Sequence, residues 1–287
     1  MSGVEIVLAA GAELAEGAVW DERAQALWWV DIFAGAVHRL DPASGRDAHW
    51  RMPGSVGSLA LCEDGDLVVA LRDGLYRFSP AGGALEPLAR PEPDLLHNRF
   101  NDGRTDRQGR FWVGSLHDPE TEPTGSLWRL DADHSCHRQA EGIHAANGTA
   151  FSPDGRRGYH ADSRTGVVWR FDVDPATGAL SNRQPFIQLD KREGAPDGAT
   201  VDADGCYWLT HAGGWRIARY TPAGRVDRVI PMPVEIPTCL AFGGRDGRTL
   251  YITTATYGLS PTALAMQPIA GHILALDVGV GGIPESR

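Results

Sequence analysis

Residues 152–178 read SPDGRRGYHADSRTGVVWRFDVDPATG, and this pattern decides the fold because it recurs along the whole chain. A turn resembling D-x-x-G is followed by an aromatic or β-branched run, a polar loop and a second such run. The equivalent units begin at Asp21, Cys62, Asp106, Ser152, Asp202 and Gly244. Their spacing of roughly 40–50 residues, with short strands bounded by Gly, Pro, Asp and Asn, is typical of four-stranded propeller blades.

The six units predict an all-β fold, a six-bladed β-propeller with four antiparallel strands per blade. We expect one domain over residues 1–287, because closed β-architectures of this length occur as single domains. A β-sandwich with many hairpins is the alternative, but six copies of one pattern favour the propeller. A strand around residues 5–9 is expected to complete the last blade, because an open ring would leave a sheet edge unpaired.

The charge balance limits the partners that the chain can have. The chain carries 37 acidic and 27 basic side chains, giving a formal net charge of −10. Binding to nucleic acid or to an anionic membrane needs a basic face, so both are disfavoured. A small neutral or cationic ligand, or a metal ion, suits this charge better.

The cysteines and the apolar segments indicate a cytoplasmic protein. The four cysteines lie far apart without a C-x-x-C pair, which argues against a thiolate zinc site and a disulfide framework. The first residues, MSGVEIVLAAG, lack the basic region and cleavage site of a signal peptide. No apolar stretch approaches the length needed to span a bilayer. The oligomeric state stays open between a monomer and a weak dimer.

Equivalent positions in the six units should converge on the central channel, because the innermost strand of each blade lines it. The residues five positions before each anchor turn are Glu16, Gly57, Asn101, Asn147, Asp197 and Cys239. Four of these six carry an oxygen-bearing side chain, and such a group of carboxylates and amides would repel or stay unsatisfied without a cation. Asn-Gly and Asp-Gly are also common turn formers, but their coincidence at one repeat position favours a metal.

The predicted ligands are all oxygen atoms, which suit hard cations such as Ca²⁺ or Mg²⁺. Three or four protein ligands leave a coordination position for water or substrate, and an open position is typical of a catalytic metal site. The cofactor is expected to be one divalent ion. Ca²⁺ and Zn²⁺ are preferred, and Mg²⁺, Mn²⁺ and Fe²⁺ stay open.

Several phrases resemble the senescence marker protein (regucalcin)/gluconolactonase family over nearly the whole chain. They are EGAVW at 16–20, RFNDG at 99–103, NGTAFSPDG at 147–155, PDGATVDADG at 196–205 and TLYITTA at 249–255. The resemblance implies a six-bladed propeller with one divalent metal held by Glu16, Asn147 and Asp197. It also implies that Arg99 and Asn101 contact substrate, and Arg99 is assigned by the resemblance alone.

One family position departs from the pattern. Some relatives carry a substrate-contacting Glu in a loop that here reads LHDPETEPTG, and a direct count places Pro119 at that position. Asp118 or Glu120 is the candidate replacement. The phrase HD, at His117 and Asp118, adds a resemblance to bacterial aldonolactonases that act on pentose or hexose lactones.

The resulting hypothesis is metal-dependent hydrolysis of a sugar lactone, such as glucono-, xylono-, arabino- or galactonolactone, to the aldonic acid. A metal would polarise the carbonyl, and Asp197 would take a proton from the attacking water and later protonate the ring oxygen. His117 and His211 follow strand segments, so either is a candidate for substrate contact, and Trp215 is a candidate pocket wall.

The alternatives are an esterase or organophosphatase on the same scaffold and a non-catalytic calcium-binding propeller. An esterase would want a more apolar pocket than one that contains Arg99 and Asn101. A protein-interaction propeller of the WD type is disfavoured, because a regular Trp-Asp signature is missing from the unit ends. A Ser-His-Asp hydrolase is disfavoured by the lack of a G-x-S-x-G phrase.

Overall fold

The computed structural model describes residues 3–287, which contain six four-stranded antiparallel sheets. The chain enters with β1 (Glu5–Leu8). The first sheet contains β2 (Ala15–Asp21), β3 (Ala26–Asp31), β4 (Ala36–Asp41) and β5 (Arg46–Arg51). The second contains β6 (Val56–Leu61), β7 (Leu67–Leu71), β8 (Gly74–Phe78) and β9 (Leu85–Ala89). The third contains β10 (Asn98–Thr105), β11 (Phe111–His117), β12 (Gly125–Leu130) and β13 (Cys136–Ile143).

The remaining sheets repeat this order along the chain. The fourth contains β14 (Ala146–Phe151), β15 (Arg157–Asp162), β16 (Val167–Val173) and β17 (Leu180–Gln188). The fifth contains β18 (Ala195–Val201), β19 (Tyr207–Ala212), β20 (Arg216–Tyr220) and β21 (Val226–Pro231). The sixth contains β22 (Pro237–Gly243), β23 (Thr249–Thr254) and β24 (Ile273–Asp277), with β1 as its fourth strand. The six-bladed β-propeller is confirmed.

The first strands of neighbouring blades contact one another all the way around, so β2, β6, β10, β14, β18 and β22 form a closed ring about the channel. Their residues are almost all buried, whereas the outermost strands such as β5 and β21 are largely exposed. Ring closure comes from β1, which pairs antiparallel with β24 through Glu5 opposite Ala275 and Ile6 opposite Leu274. The predicted closing strand is therefore confirmed.

The blade boundaries differ from the sequence units. Each sheet starts with the strand before the anchor turn, so the first blade begins at Ala15 and its innermost strand ends at Asp21. The anchor turn is the most visible signal in the sequence, but it joins the first strand to the second. Helix is limited to a 3₁₀ turn (Lys191–Glu193) and α1 (Pro261–Met266) within residues 3–287.

The core lies between blades and is rich in Trp. Trp112 and Trp208 are fully buried, and each indole N–H donates to the anchor aspartate six residues earlier. The bonds are Trp112 Nε1 to Asp106 Oδ2 at 2.9 Å and Trp208 Nε1 to Asp202 Oδ2 at 2.7 Å. The anchor aspartates therefore satisfy polar groups that would otherwise be buried without partners.

A buried arginine crosses the channel below the predicted site. Arg104 of β10 donates to the carbonyl oxygens of Ala18, Ala199 and Leu240, at 3.3, 2.9 and 3.0 Å. It also pairs with Glu285 in the C-terminal segment. Blades one, three, five and six are thus linked through one guanidinium, which also fills part of the channel. No helix within the described residues is long and apolar enough to cross a membrane.

Candidate metal and substrate site

The strand register breaks at the shared channel position in all six innermost strands. The ladder shifts directly after Glu16 and Asn147, and the shift contains the shared residue itself in the other four strands. A β-bulge of this kind turns a side chain out of the regular alternation and is common beside active sites. The glycines that follow Glu16 and Asn147 have φ values of 58° and 63°, in the left-handed region that favours glycine.

Seven of the eight predicted site residues line one cavity, whose volume is about 350 Å³. They are Glu16, Arg99, Asn101, Asp118, Glu120, Asn147 and Asp197. The eighth, His117, lies outside the lining, and its Nδ1 is 3.1 Å from the Thr121 hydroxyl. The structure therefore gives no support to a contact between His117 and a substrate in this cavity.

The Glu16 and Asp197 carboxyls, from blades one and five, lie within hydrogen-bonding reach of each other. Burial, followed by the charge of Asp102, raises the pKa of Glu16 to about 8. Burial, followed by the charge of Glu16, raises the pKa of Asp197 well above its usual value. Two carboxyls this close cannot both be charged at neutral pH unless a cation lies between them, and without a cation one of them stays protonated.

Hydrogen bonds fix the two amides of the site. Asn101 Nδ2 donates to Asn147 Oδ1 at 3.0 Å and to the Ala146 carbonyl at 2.9 Å. Asn147 Nδ2 donates to the Ser163 hydroxyl at 2.8 Å, and that hydroxyl donates to the Pro196 carbonyl at 2.7 Å. The chain of bonds connects blades three, four and five, and it leaves a second lone pair on Asn147 Oδ1. Sequence reasoning missed Ser163, which lies in a strand-end turn without a repeat signature.

Arg99 is buried beside the amides. Its Nη1 donates to Asn101 Oδ1 at 2.7 Å and to the Phe100 carbonyl at 3.3 Å. Within the described part of the chain, its buried Nε has no hydrogen-bond partner. Burial lowers the pKa of this guanidinium from its usual value. The terminal Nη2 also makes no hydrogen bond among the described residues, and, unlike Nε, it is not fully buried, so Arg99 holds donor capacity that a ligand in the cavity can satisfy.

The loop after β11 brings two more carboxyls to the cavity. Asp118 Oδ2 accepts from Arg72 Nη1 at 2.9 Å, so this carboxylate already has a cationic partner. Glu120 is bound less tightly, because its Oε2 lies 4.0 Å from Arg164 Nε. Burial raises the pKa of Glu120, and its φ of 67° is unusual for a residue with a side chain. Of the two candidates, Glu120 has the carboxyl more available to a ligand.

The other wall of the cavity is apolar, and the sequence did not predict it. It consists of Leu14, Ile32, Phe33, Ile236, Ala255 and Tyr257. Trp215, predicted as a pocket wall, is outside the lining and 42% exposed. His211 is also outside; it is buried, with Nε2 3.0 Å from the Tyr220 hydroxyl and Nδ1 3.0 Å from the Glu193 carbonyl oxygen.

The residues present fit a hard divalent cation. Glu16, Asp197 and Asn147 offer two carboxyls and one amide oxygen, and a cation would relieve the repulsion that raises both carboxyl pKa values. Among residues 3–287, one His/Asp cluster has its ligand atoms close together, formed by His38, Asp47 and His49 of β4 and β5. Its Asp47 is already bonded to His38 and to the Trp29 indole, and the cluster lies outside the cavity.

The fold and the site define a class: a six-bladed β-propeller with a pocket rich in carboxyl and amide oxygens at one mouth of its channel. Residues 14–256 match the family model described as SMP-30/Gluconolactonase/LRE-like region, and the chain belongs to that family. The chain is 41% identical to a 6-deoxy-6-sulfogluconolactonase from Pseudomonas putida, over 95% of this chain and 94% of that protein. It is 39% identical to an L-arabinolactonase from Azospirillum brasilense, over 96% and 91%.

Solved structures agree with this assignment. A structure described as a calcium-binding protein, regucalcin, from Agrobacterium tumefaciens str. C58 superimposes with a TM-score of 0.94 at 30% identity. The superposition covers 98% of this chain and 95% of that chain. The resemblance seen in the sequence is therefore confirmed, as is the assignment to the lactonase class of enzymes.

Proposed function

We propose that this chain hydrolyses a sugar lactone to its aldonic acid and that it holds one divalent metal ion for the reaction. The observation that carries the proposal is the grouping of Glu16, Asn147 and Asp197 beside Arg99 and Asn101 in one cavity. Oxygen ligands that can hold a metal ion lie next to side chains that can bind hydroxyl groups. This combination suits an ester that carries several hydroxyls, such as a sugar lactone. The names of the relatives support substrates in the range of pentono- and hexonolactones.

Glu16, Asn147 and Asp197 would hold the ion, which can be any of the divalent ions that oxygen ligands accept. When bound, the ion supplies Lewis-acid polarisation of the lactone carbonyl. Its Ca²⁺ form is favoured by the calcium-binding description of the Agrobacterium relative. The donor set itself does not discriminate against Zn²⁺, Mg²⁺, Mn²⁺ or Fe²⁺.

Asp197 is the proposed general base and acid. Its carboxylate takes a proton from a water molecule while the water oxygen bonds to the carbonyl carbon. The ring C–O bond then breaks, and Asp197 returns the proton to the ring oxygen, which leaves as a hydroxyl of the aldonic acid.

Arg99, Asn101 and Glu120 are the proposed substrate-orienting residues. Arg99 lines the cavity, its Nη2 makes no hydrogen bond among the described residues, and its Nη1 holds the Asn101 side chain at 2.7 Å. The hydroxyls on one edge of a sugar ring can accept hydrogen bonds from Arg99, and a hydroxyl on another edge can donate to Glu120. Because Asp118 is paired with Arg72, we assign it to support of the loop rather than to direct contact. His117 keeps no substrate role in this proposal.

The test is hydrolysis of a panel of aldonolactones by metal-stripped protein, with single divalent ions added back and spontaneous ring opening subtracted. Turnover that needs a metal and is lost in Asp197→Ala is expected. Asp94→Ala, at an exposed position outside the cavity, is the matched control and should keep full activity. An Asp197→Ala protein with near-normal turnover and bound metal would refute the role of Asp197.

A calcium-binding propeller without catalysis is the second candidate, and the description of the Agrobacterium structure favours it over an esterase. Tight metal binding without turnover on any lactone would support it. The expected reducing, cytoplasmic location stays a prediction, supported by four free cysteines within the described residues.

A further inference from the structure

Two exposed aromatic side chains stand in the wall of the cavity. Phe33 is 38% exposed and Tyr257 is 54% exposed, and both line the same cavity as Glu16 and Asp197. Their ring centroids are 4.8 Å apart, with an interplanar angle of 53°. The two rings therefore make one continuous aromatic surface on the apolar wall of a cavity that also contains the acidic and amide side chains. A surface of this kind inside a concave site is more informative than a scattered exposed side chain.

Phe33 is held in a tight turn between β3 and β4. Ile32 N–H donates to the Leu14 carbonyl at 3.0 Å, and Ala34 N–H donates to Asp31 Oδ1 at 3.2 Å. Gly35 follows with a φ of 58°, and a Cβ there would lie 2.6 Å from the Gly54 carbonyl oxygen. The turn therefore has little freedom, and the Phe33 ring is presented from a fixed backbone.

Tyr257 is held just as firmly, and to the same segment of chain. The N–H groups of Thr256 and Tyr257 both donate to the Glu13 carbonyl, at 3.0 and 2.9 Å. The Thr256 hydroxyl donates to the Ala12 carbonyl at 3.1 Å. Residues 12–14 thus anchor both aromatic loops and lead directly into Glu16 on β2. The two aromatic side chains and Glu16, a predicted metal ligand, are therefore positioned by one stretch of backbone.

The Phe33 ring also adjoins the polar side of the site. Arg99 Cζ lies 6.0 Å from the centre of the Phe33 ring, within the range of a cation–π contact. A ring-shaped ligand that rests on Phe33 therefore has the Arg99 donors next to its edge. Such a ligand needs one face without protruding polar groups and an edge that carries hydroxyls.

We propose that Phe33 and Tyr257 form an aromatic platform that binds the C–H face of the lactone ring and selects the closed ring over the opened acid. This inference rests on the proposed lactone hydrolysis. A closed sugar lactone offers a compact C–H face to an aromatic surface. The opened aldonate is a flexible chain with no continuous apolar face, and ordering it on the platform would cost conformational entropy. The platform would thus favour substrate binding and product release together.

The first experiment compares steady-state kinetics of the wild type, Phe33→Ala and Tyr257→Ala on the lactone that gives the highest turnover. Each variant is expected to raise KM by about 5- to 10-fold while kcat stays within about threefold, because rigid aromatic contacts contribute mainly to ring binding. Tyr257→Phe keeps the aromatic ring and should raise KM by less than Tyr257→Ala does. Trp215→Ala, at an exposed aromatic outside the cavity, is the matched control.

The second experiment measures selection of the ring itself, with two uncharged competitive inhibitors. The cyclic probe is 1,5-anhydroglucitol and the open-chain probe is glucitol. Wild-type protein is expected to bind the cyclic probe more tightly, and Phe33→Ala and Tyr257→Ala should remove most of that difference. Unchanged KM in both variants, or equal weakening of both probes, would overturn the platform while leaving lactone hydrolysis intact. Wild-type protein without turnover on any lactone would instead overturn both proposals.

Discussion

Glu16 of the first blade and Asp197 of the fifth blade lie within hydrogen-bonding reach of each other at the mouth of the channel. Burial and the nearby acidic groups raise the pKa of both carboxyls, that of Glu16 to about 8. Such an arrangement costs stability in a protein that contains no cation, because one carboxyl must stay protonated or two anions must face each other. Binding of a divalent ion between the two carboxyls would offset this loss of stability.

Glu16→Gln should separate two effects of the Glu16–Asp197 pair, namely the lower stability of the metal-free protein and the affinity for a divalent ion. The variant replaces a carboxyl that must stay protonated or repel Asp197 with a neutral amide, so the metal-free protein should melt at the same temperature as the wild type or higher. Affinity for the divalent ion should fall by at least about 100-fold, since even residues that only support metal ligands often contribute 10- to 100-fold. Calorimetric titration with the activating ion, together with melting curves with and without it, checks both effects. Undiminished metal affinity in Glu16→Gln would show that Glu16 is not a ligand.

Arg99→Lys tests whether the guanidinium fork orients the substrate. Lysine keeps the positive charge but cannot bond Asn101 Oδ1 and a substrate hydroxyl from one planar group, as Arg99 can. We expect KM to rise by about 10- to 100-fold, with a smaller fall in kcat. Arg23→Lys is the matched control, because Arg23 is exposed, pairs with Glu63 and lies outside the cavity. Equal kinetics for Arg99→Lys and the wild type would contradict an orienting role.

The loop carboxyls should differ in their effects. Glu120 is only weakly paired, at 4.0 Å from Arg164, so Glu120→Gln should raise KM because the amide has lost the negative charge and one of the two acceptor oxygens. Asp118 is bonded to Arg72 at 2.9 Å, so Asp118→Asn should mainly loosen the loop. We expect a KM increase of about tenfold for Glu120→Gln and a smaller one for Asp118→Asn. Proteolysis of the loop checks the structural part, and a reversed order of KM effects would reassign the two residues.

The sequence predicted the channel positions well because the repeat gives every blade the same frame. Counting back from the anchor turns placed Glu16, Asn101, Asn147 and Asp197 at one mouth, where the structure brings them together. The count depends only on strand length, which the fold keeps nearly constant. It works even though the blade boundaries themselves were placed about one strand late.

The repeat pattern does not predict which side chains of the connecting loops reach the cavity. Phe33, Ser163 and Tyr257 reach the cavity from turns whose conformation is fixed by contacts with distant residues, such as Tyr257 N–H with the Glu13 carbonyl. His117 illustrates the opposite case, since it ends β11 at a plausible position but lies outside the lining. The sequence near these residues does not indicate whether their side chains reach the cavity.

Gly57 explains why the second blade gives no ligand at the shared position, and it supports a prediction. A Cβ at Gly57 would lie 2.4 Å from the Phe100 carbonyl oxygen and 2.7 Å from Asn101 Cα. Gly57→Ala must therefore displace the strand that holds Asn101, and we expect a destabilisation of about 1–3 kcal/mol and a loss of activity. Gly54→Ala, where a Cβ meets nothing within 4 Å, is the control. Denaturant unfolding and lactone turnover check both, and a stable, active Gly57→Ala would contradict the close approach.

His160 should make the protein sensitive to acid. It is buried in β15, neither ring nitrogen has a hydrogen-bond partner among the described residues, and burial lowers its pKa to about 4. An unfolded histidine takes up a proton near pH 6.5, whereas the folded one stays neutral until about pH 4. The unfolded chain therefore binds more protons in this window, so stability rises with pH across it and is lost as pH falls from 6.5 towards 4. A shift of this size corresponds to a loss on the order of 2–3 kcal/mol.

His160→Phe should remove that sensitivity, because an apolar ring of similar size needs no hydrogen bonds and takes up no proton. The difference in the free energy of unfolding between variant and wild type should be small at pH 8 and should grow in favour of the variant at pH 5. Denaturant unfolding at the two pH values measures it. His97→Phe, at an exposed position, should show no such growth. If the variant and the wild type lost stability in parallel between pH 8 and pH 5, His160 would not be the acid-sensitive group, and the carboxyls would have to account for the whole pH dependence.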